Sequence, residues 1–216
     1  MIRKLLGNRR QREVTTYAAL GDSFTAGNGC DPTERWSDLF ADGLRASNPR
    51  LNYVNLARDG ADSHDVLEQV PKAINHRPDL VTLVCGANDV ILNLRPDIGS
   101  FSARLELMLD RLRRALPDAA ILTATYPVGW CLEGIGPRTQ ARIHSGMTDL
   151  NLAIRDVSAA LSVPCLDVVD HPGIGDPGNF ESDGLHPSPA GHRHAAAEFR
   201  RAIAINFQIE TTTRSA

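Results

Sequence analysis

Five short apolar runs alternate with longer amphipathic segments, and that alternation limits the fold of this chain more than any other feature. The runs 16–20, 52–56, 80–85, 120–125 and 164–168 have strand length, and the segments 34–46, 63–75, 100–116, 138–161 and 189–204 have helix length. Strands that alternate with helices cannot pair as hairpins. They build a parallel sheet with helices on both faces. The expected architecture is a three-layer α/β/α sandwich around a five-stranded parallel sheet. Helical spacing is clearest at Leu105, Leu109, Leu112 and Leu116, with Arg104, Arg111, Arg113 and Arg114 between them. Ser188-Pro189 reads as a helix start, a capping hydroxyl followed by proline in the first turn.

In such a sheet, ligands bind beyond the carboxyl ends of the strands. The loops 21–32, 57–62, 86–89, 126–137 and 171–186 each follow a strand, so all five should meet on one rim. No internal repeat or low-complexity stretch interrupts the pattern. With 216 residues the chain is expected to form one domain over 15–208, between a basic tail at 1–14 and a short tail at 209–216.

Charge narrows the class of partner. Net charge is -3, but residues 1–12 hold five basic residues and no acidic one, which leaves the remainder at -8. An acidic body argues against nucleic acid as the main partner. No stretch approaches the ~18 apolar residues of a membrane-spanning helix, and no secretory signal is visible. A cytoplasmic location is therefore the expectation, without integral membrane association. Oligomeric state is not legible. Only Lys4 and Lys72 stand among the 23 basic residues, an arginine bias that hints at a GC-rich bacterial genome.

The four cysteines, Cys30, Cys85, Cys131 and Cys165, form no CxxC pair, which speaks against a zinc ribbon or a thioredoxin-type site. Cys85 and Cys165 sit in apolar runs and read as buried thiols. Cys30 and Cys131 sit in loop contexts, and whether they pair is left open. His192 and His194 stand two apart on a helix and face different ways, while His64, His76, His144 and His171 lack partners at ligand spacing. No metal site is expected. There is no phosphate-binding loop, and Gly27-Asn-Gly29 lacks the third glycine of a dinucleotide fingerprint, so no cofactor is expected either.

The rim loops carry the chemistry. In Gly21-Asp22-Ser23 a strand ends in a tight turn that lifts a hydroxyl to the sheet edge, where it can serve as a nucleophile if a base and an oxyanion site lie near. Asp22 can satisfy turn amides. In Gly86-Ala-Asn-Asp89, Asn88 can point neutral N–H donors at a developing oxyanion. It could also be a plain turn residue. Gly60 could let a backbone N–H approach a ligand closely. In Asp183-Gly-Leu-His186, the carboxylate can fold back onto the imidazole Nδ1–H and leave Nε2 free as a base. A histidine base works once it has lost its proton, about pH 6–7 for an unperturbed imidazole.

Taken in order, these four blocks closely resemble the SGNH hydrolases, also called the GDSL esterase/lipase family. The resemblance runs from about Tyr17 to the helix after His186. It implies a flavodoxin-like strand order, 2-1-3-4-5. It implies Ser23 as nucleophile, His186 as base and Asp183 as its orienting carboxylate, with Ser23, Gly60 and Asn88 as oxyanion donors. Phe24 stands where the family name has leucine, a conservative change expected to touch no catalytic atom. The function implied is hydrolysis of a small-molecule acyl ester through an acyl-serine intermediate. Acyl transfer or thioester hydrolysis would use the same residues, and a catalytically dead binding module would not keep them intact. The rim loops hold little large apolar sequence apart from Val128, Trp130 and Leu132, which points to short acyl groups.

Overall fold

The computed structural model describes residues 13–128 and 134–211. The expectations for Trp130, Cys131 and Leu132, and for most of both tails, lie outside these residues.

Five parallel strands form one sheet in the order β2-β1-β3-β4-β5: β1 Thr16–Gly21, β2 Asn52–Asn55, β3 Leu80–Val84, β4 Ala120–Ala124 and β5 Cys165–Leu166. Strand β1 sits between β2 and β3, with Tyr17 opposite both Tyr53 and Leu80. Every residue of β3 and β4 is buried, as expected of strands covered on both faces. The sheet order matches the expectation. Strand β5 is only two residues long, because Asp167 leaves the ladder. Its carboxylate accepts from Thr125 Oγ1 at 2.9 Å and from Arg155 at 2.7 and 2.9 Å.

Among the described residues eight α-helices surround the sheet: α1 Ser23–Ala26, α2 Trp36–Ser47, α3 Ser63–Leu67, α4 Val70–His76, α5 Ala87–Ile91, α6 Ile98–Ala115, α7 Pro137–Ala160 and α8 Pro189–Phe207. Helices α2 and α8 pack together, and α6 packs against α3, α4 and α7, which gives the three layers. Leu105, Leu109 and Leu112 are buried, as their spacing requires, and Ser188 caps α8 by accepting from Gly191 N–H. The helix expected over 63–75 is two helices. Pro71 cannot continue the hydrogen-bond ladder, and the Gln69 side chain is drawn to the end of β1, where it pairs with both Gly21 N–H and Gly21 C=O at 2.9 Å. The buried core reaches Val14 and Ile209, one residue beyond the expected 15–208 at either end. Cys30, Cys85 and Cys165 carry free thiols. No helix among the described residues is long and apolar enough to cross a membrane.

The α2–α8 contact contains a buried histidine. Helix α2 lacks a side-chain cap of its own, and His192 Nδ1 on α8 accepts from Trp36 N–H at 3.3 Å. His192 Nε2 must then carry the proton, and it has no partner. Burial, together with His186 and Arg35, pushes the His192 pKa down to about 4. An unfolded histidine titrates near 6.5, so the unfolded chain takes up this proton first. The stability His192 contributes is full above about pH 6.5 and is lost as pH falls toward 4. Asp22, raised to about 7, acts in the opposite sense: its contribution is full at low pH and lost as pH rises through 7. The expected result is therefore a difference between proteins. Between pH 7 and pH 4 the urea midpoint of wild type should fall relative to that of His192→Asn, which keeps an acceptor and cannot titrate. Parallel pH dependences would remove His192 from this account.

Candidate active site

Four rim loops carry the expected site residues at the carboxyl edge of the sheet: Ser23, Gly60, Asn88, and Asp183 with His186. At the end of β1 the chain turns sharply into α1. Gly21 has φ 156°, and a Cβ there would lie 2.3 Å from Val84 C=O, so no other residue fits between β1 and β3. Asp22 caps α1 by accepting from Phe24 N–H at 3.1 Å. Ser23, 6% exposed, opens the helix.

Ser23, His186 and Asp183 form one hydrogen-bonded line. Ser23 Oγ lies 3.0 Å from His186 Nε2, and His186 Nδ1 lies 2.6 Å from Asp183 Oδ2. Asp183 Oδ1 also accepts from Leu185 N–H at 2.8 Å and His186 N–H at 3.0 Å. Partial burial works to raise the Asp183 pKa. The hydrogen bonds from the His186 ring and from the two backbone N–H groups outweigh it, so the carboxyl is held below its ordinary value. An ionised Asp183 accepts from Nδ1–H, and Nε2 then faces the hydroxyl as an acceptor.

The glycine and asparagine blocks are tied together. Gly60 has φ 70°, and a Cβ there would meet nothing within 4 Å. Backbone conformation, not space, is what calls for glycine. Asn88 Nδ2 donates to Ala61 C=O at 2.9 Å, one residue beyond Gly60, and keeps a second N–H free to donate elsewhere. Below them, Asp89 is buried, with 6% exposure, and accepts from Ser63 N–H at 2.8 Å and Ser63 Oγ at 2.5 Å. Arg104 closes this network on Asp89 at 3.1 Å and on Ser63 Oγ at 2.6 Å. Removing the carboxylate by Asp89→Ala leaves Ser63 N–H and Oγ–H without their acceptor and the partly covered Arg104 guanidinium without its counter-charge. It should cost about 2–4 kcal/mol of stability in urea denaturation. A loss below about 0.5 kcal/mol would show that the network contributes little beyond an exposed pair.

Three features are not legible in the sequence. Asp22 is fully buried, and its second oxygen accepts from Tyr126 Oη at 2.6 Å, which links residues 104 apart in the chain. Burial raises its pKa to about 7, against the hydrogen bonds from Tyr126 and Phe24 N–H and the charge of His186. Phe24, expected to touch no catalytic atom, packs its ring 5.9 Å from the His186 ring and 5.2 Å from Tyr126. The extra ring of this departure from the family name therefore bears on the imidazole. Finally, His64 does have neighbours: Asp62, His64 and Asp65 each place a ligand-type atom within 4.8 Å of the others. Asp62 is occupied in capping α3 through the N–H groups of His64 and Asp65, and Asp65 pairs with Arg58 at 2.5 Å.

Comparison with known proteins shows the family of the chain. The GDSL-like lipase/acylhydrolase family model matches residues 19–194. A lipase from Streptomyces rimosus is 24% identical over 176 residues, an alignment that spans 64% of this chain and 64% of the lipase. An arylesterase from Vibrio mimicus is 23% identical over 171 residues, 79% of this chain and 78% of that protein. The crystal structure of a lipase/acylhydrolase from Enterococcus faecalis superposes with a TM-score of 0.70 at 23% identity, covering 93% of this chain and 99% of that one. The chain belongs to the GDSL-like lipase/acylhydrolase family.

Proposed function

We propose that this protein is a serine esterase that hydrolyses short-chain acyl esters dissolved in water. The observation that carries the reading is the line Ser23–His186–Asp183, with gaps of 3.0 and 2.6 Å. His186 Nε2 removes the hydroxyl proton as Ser23 Oγ attacks the ester carbonyl. The oxyanion is held by Ser23 N–H, Gly60 N–H and the free N–H of Asn88. His186 returns the proton to the leaving alcohol, then activates water against the acyl-Ser23 ester. Each oxyanion donor of this kind is worth ~2.7–4 kcal/mol of barrier.

The short-chain part of the reading rests on the rim. The segment that leads to His186 is folded into tight turns. His171 Nδ1 accepts from Gly173 N–H at 3.1 Å, Asn179 Nδ2 donates to Gly173 C=O at 2.8 Å, and Ser188 Oγ donates to Gly178 C=O at 2.6 Å. A segment fastened in this way is a poor lid. Leu92 and Leu94, just after α5, are exposed, and Leu92 lies one helical turn beyond Asn88, where a short acyl chain would find an apolar neighbour. A lipase would instead need an amphipathic cover that opens at an interface.

The test is a hydrolysis screen over nitrophenyl esters of increasing chain length, beside acetylated sugars and acyl thioesters. Acetyl and butyryl esters should turn over fastest, with no jump in rate above the substrate's solubility limit. Faster turnover of palmitoyl esters, with such a jump, would favour a lipase.

A further inference from the structure

Phe24 and Tyr126 have a second side. Behind them, between the ends of β4 and β5, helix α8 and the segment 171–180, lies a half-open cavity of about 140 Å³. An apolar cavity of about 150 Å³ accepts one benzene molecule, so there is room for one six-carbon group. Five aromatic side chains stand in its wall: Phe24, Trp36, Tyr126, Phe180 and Phe199. Neither Ser23 nor His186 lines it, so it is separate from the place where an ester carbonyl would meet Ser23.

The polar part of the wall is uneven. Thr125 and Asn179 are already satisfied, by Asp167 at 2.9 Å and Gly173 C=O at 2.8 Å. The remaining charge gathers at one end, with His171, His194 and Glu198. His194 is exposed and Glu198 half-buried, which puts this end at the surface. The Glu198 carboxylate makes two long ion pairs, with His171 Nε2 at 3.7 Å and Arg201 Nη1 at 3.6 Å, both beyond good hydrogen-bond distance. A carboxylate held only by long ion pairs, at the mouth of an aromatic cavity, has room for a closer cation with a hydrocarbon body.

We propose that this cavity binds a primary alkylammonium ion of about six carbons, with its ammonium on Glu198 and its chain among the aromatic rings. The occupant would bear on the active site through three walls. Phe24 packs on the His186 ring, Tyr126 donates to Asp22, and Pro187 is the residue after His186. It would restrain the imidazole without meeting the ester, so kcat falls and KM stays.

The probes are n-hexylammonium chloride, hexan-1-ol and sodium hexanoate, titrated into the full chain by isothermal calorimetry. This readout does not depend on turnover, so failure of the esterase reading leaves it intact. Hexylammonium should bind at one site per chain, at least fivefold more tightly than hexanol, with hexanoate weakest. Glu198→Gln should bring amine and alcohol level. Ala195→Phe, which fills the cavity from α8, should abolish binding of both; Ala195→Leu serves if the larger residue lowers the yield of folded protein. Against ester hydrolysis, hexylammonium should lower kcat at least twofold with KM unchanged. No binding, equal binding of amine and alcohol by wild type, unchanged binding by both Ala195 variants, or inhibition competitive with the ester would each overturn the proposal.

Discussion

Ser23→Ala should lose turnover by a factor on the order of 10⁶ and leave the fold unchanged. The size follows from the role: without Oγ there is no acyl-enzyme, and water must attack with only the oxyanion donors and substrate binding to help. The fold should survive because the hydroxyl's hydrogen bond is to His186, while the turn itself is held by Asp22 on Phe24 N–H and by Gln69 on Gly21. Loss of one hydroxyl hydrogen bond is worth about 1 kcal/mol, so the urea midpoint should move little. A variant that keeps a tenth of wild-type kcat/KM would exclude Ser23 as the nucleophile.

His186→Ala should cost nearly as much, because nucleophile and base act as a unit. Asp183→Ala should cost less, with rates about tenfold to a hundredfold above His186→Ala, since the carboxylate orients the ring and stabilises the imidazolium without touching the substrate. The geometry makes the ranking specific. Asp183 holds its loop through Leu185 N–H and His186 N–H as well as through the ring. Asp183→Asn keeps those backbone contacts and removes the charge, so it should fold like wild type and still lose most of its kcat. Since Asp183 is held below its ordinary pKa, it stays ionised near neutral pH. Any fall of rate on the acid side of neutrality would therefore not come from Asp183. Steady-state kinetics of the three variants, with circular dichroism as the control for folding, would check this. An Asp183→Asn variant as active as wild type would remove the carboxylate from the mechanism.

What could be read from residue order was what is local. Asp183 and His186 are three apart, and their contact needs only one turn of chain. Apolar runs of strand length separated by helical spacing dictate a covered parallel sheet, and each chemical block lies in a loop that follows a strand, the last of them just before α8. The parts that escaped are contacts whose partners lie far apart. Tyr126 meets Asp22 because β4 and β1 end on the same rim with β3 between them, and no local pattern in either segment announces it. The break between α3 and α4 could have been suspected from Pro71, but not the capture of Gln69 by Gly21. The ring of Phe24 reads as a conservative change in sequence and becomes a contact with the imidazole only in three dimensions.

The most direct test of the central claim is covalent. A fluorophosphonate ester should react once per chain, and peptide mass spectrometry should place the phosphonyl group on Ser23. Ser23→Ala should remain unlabelled under the same conditions, and His186→Ala should label far more slowly. Labelling at any other residue, or equal labelling of wild type and Ser23→Ala, would contradict the account.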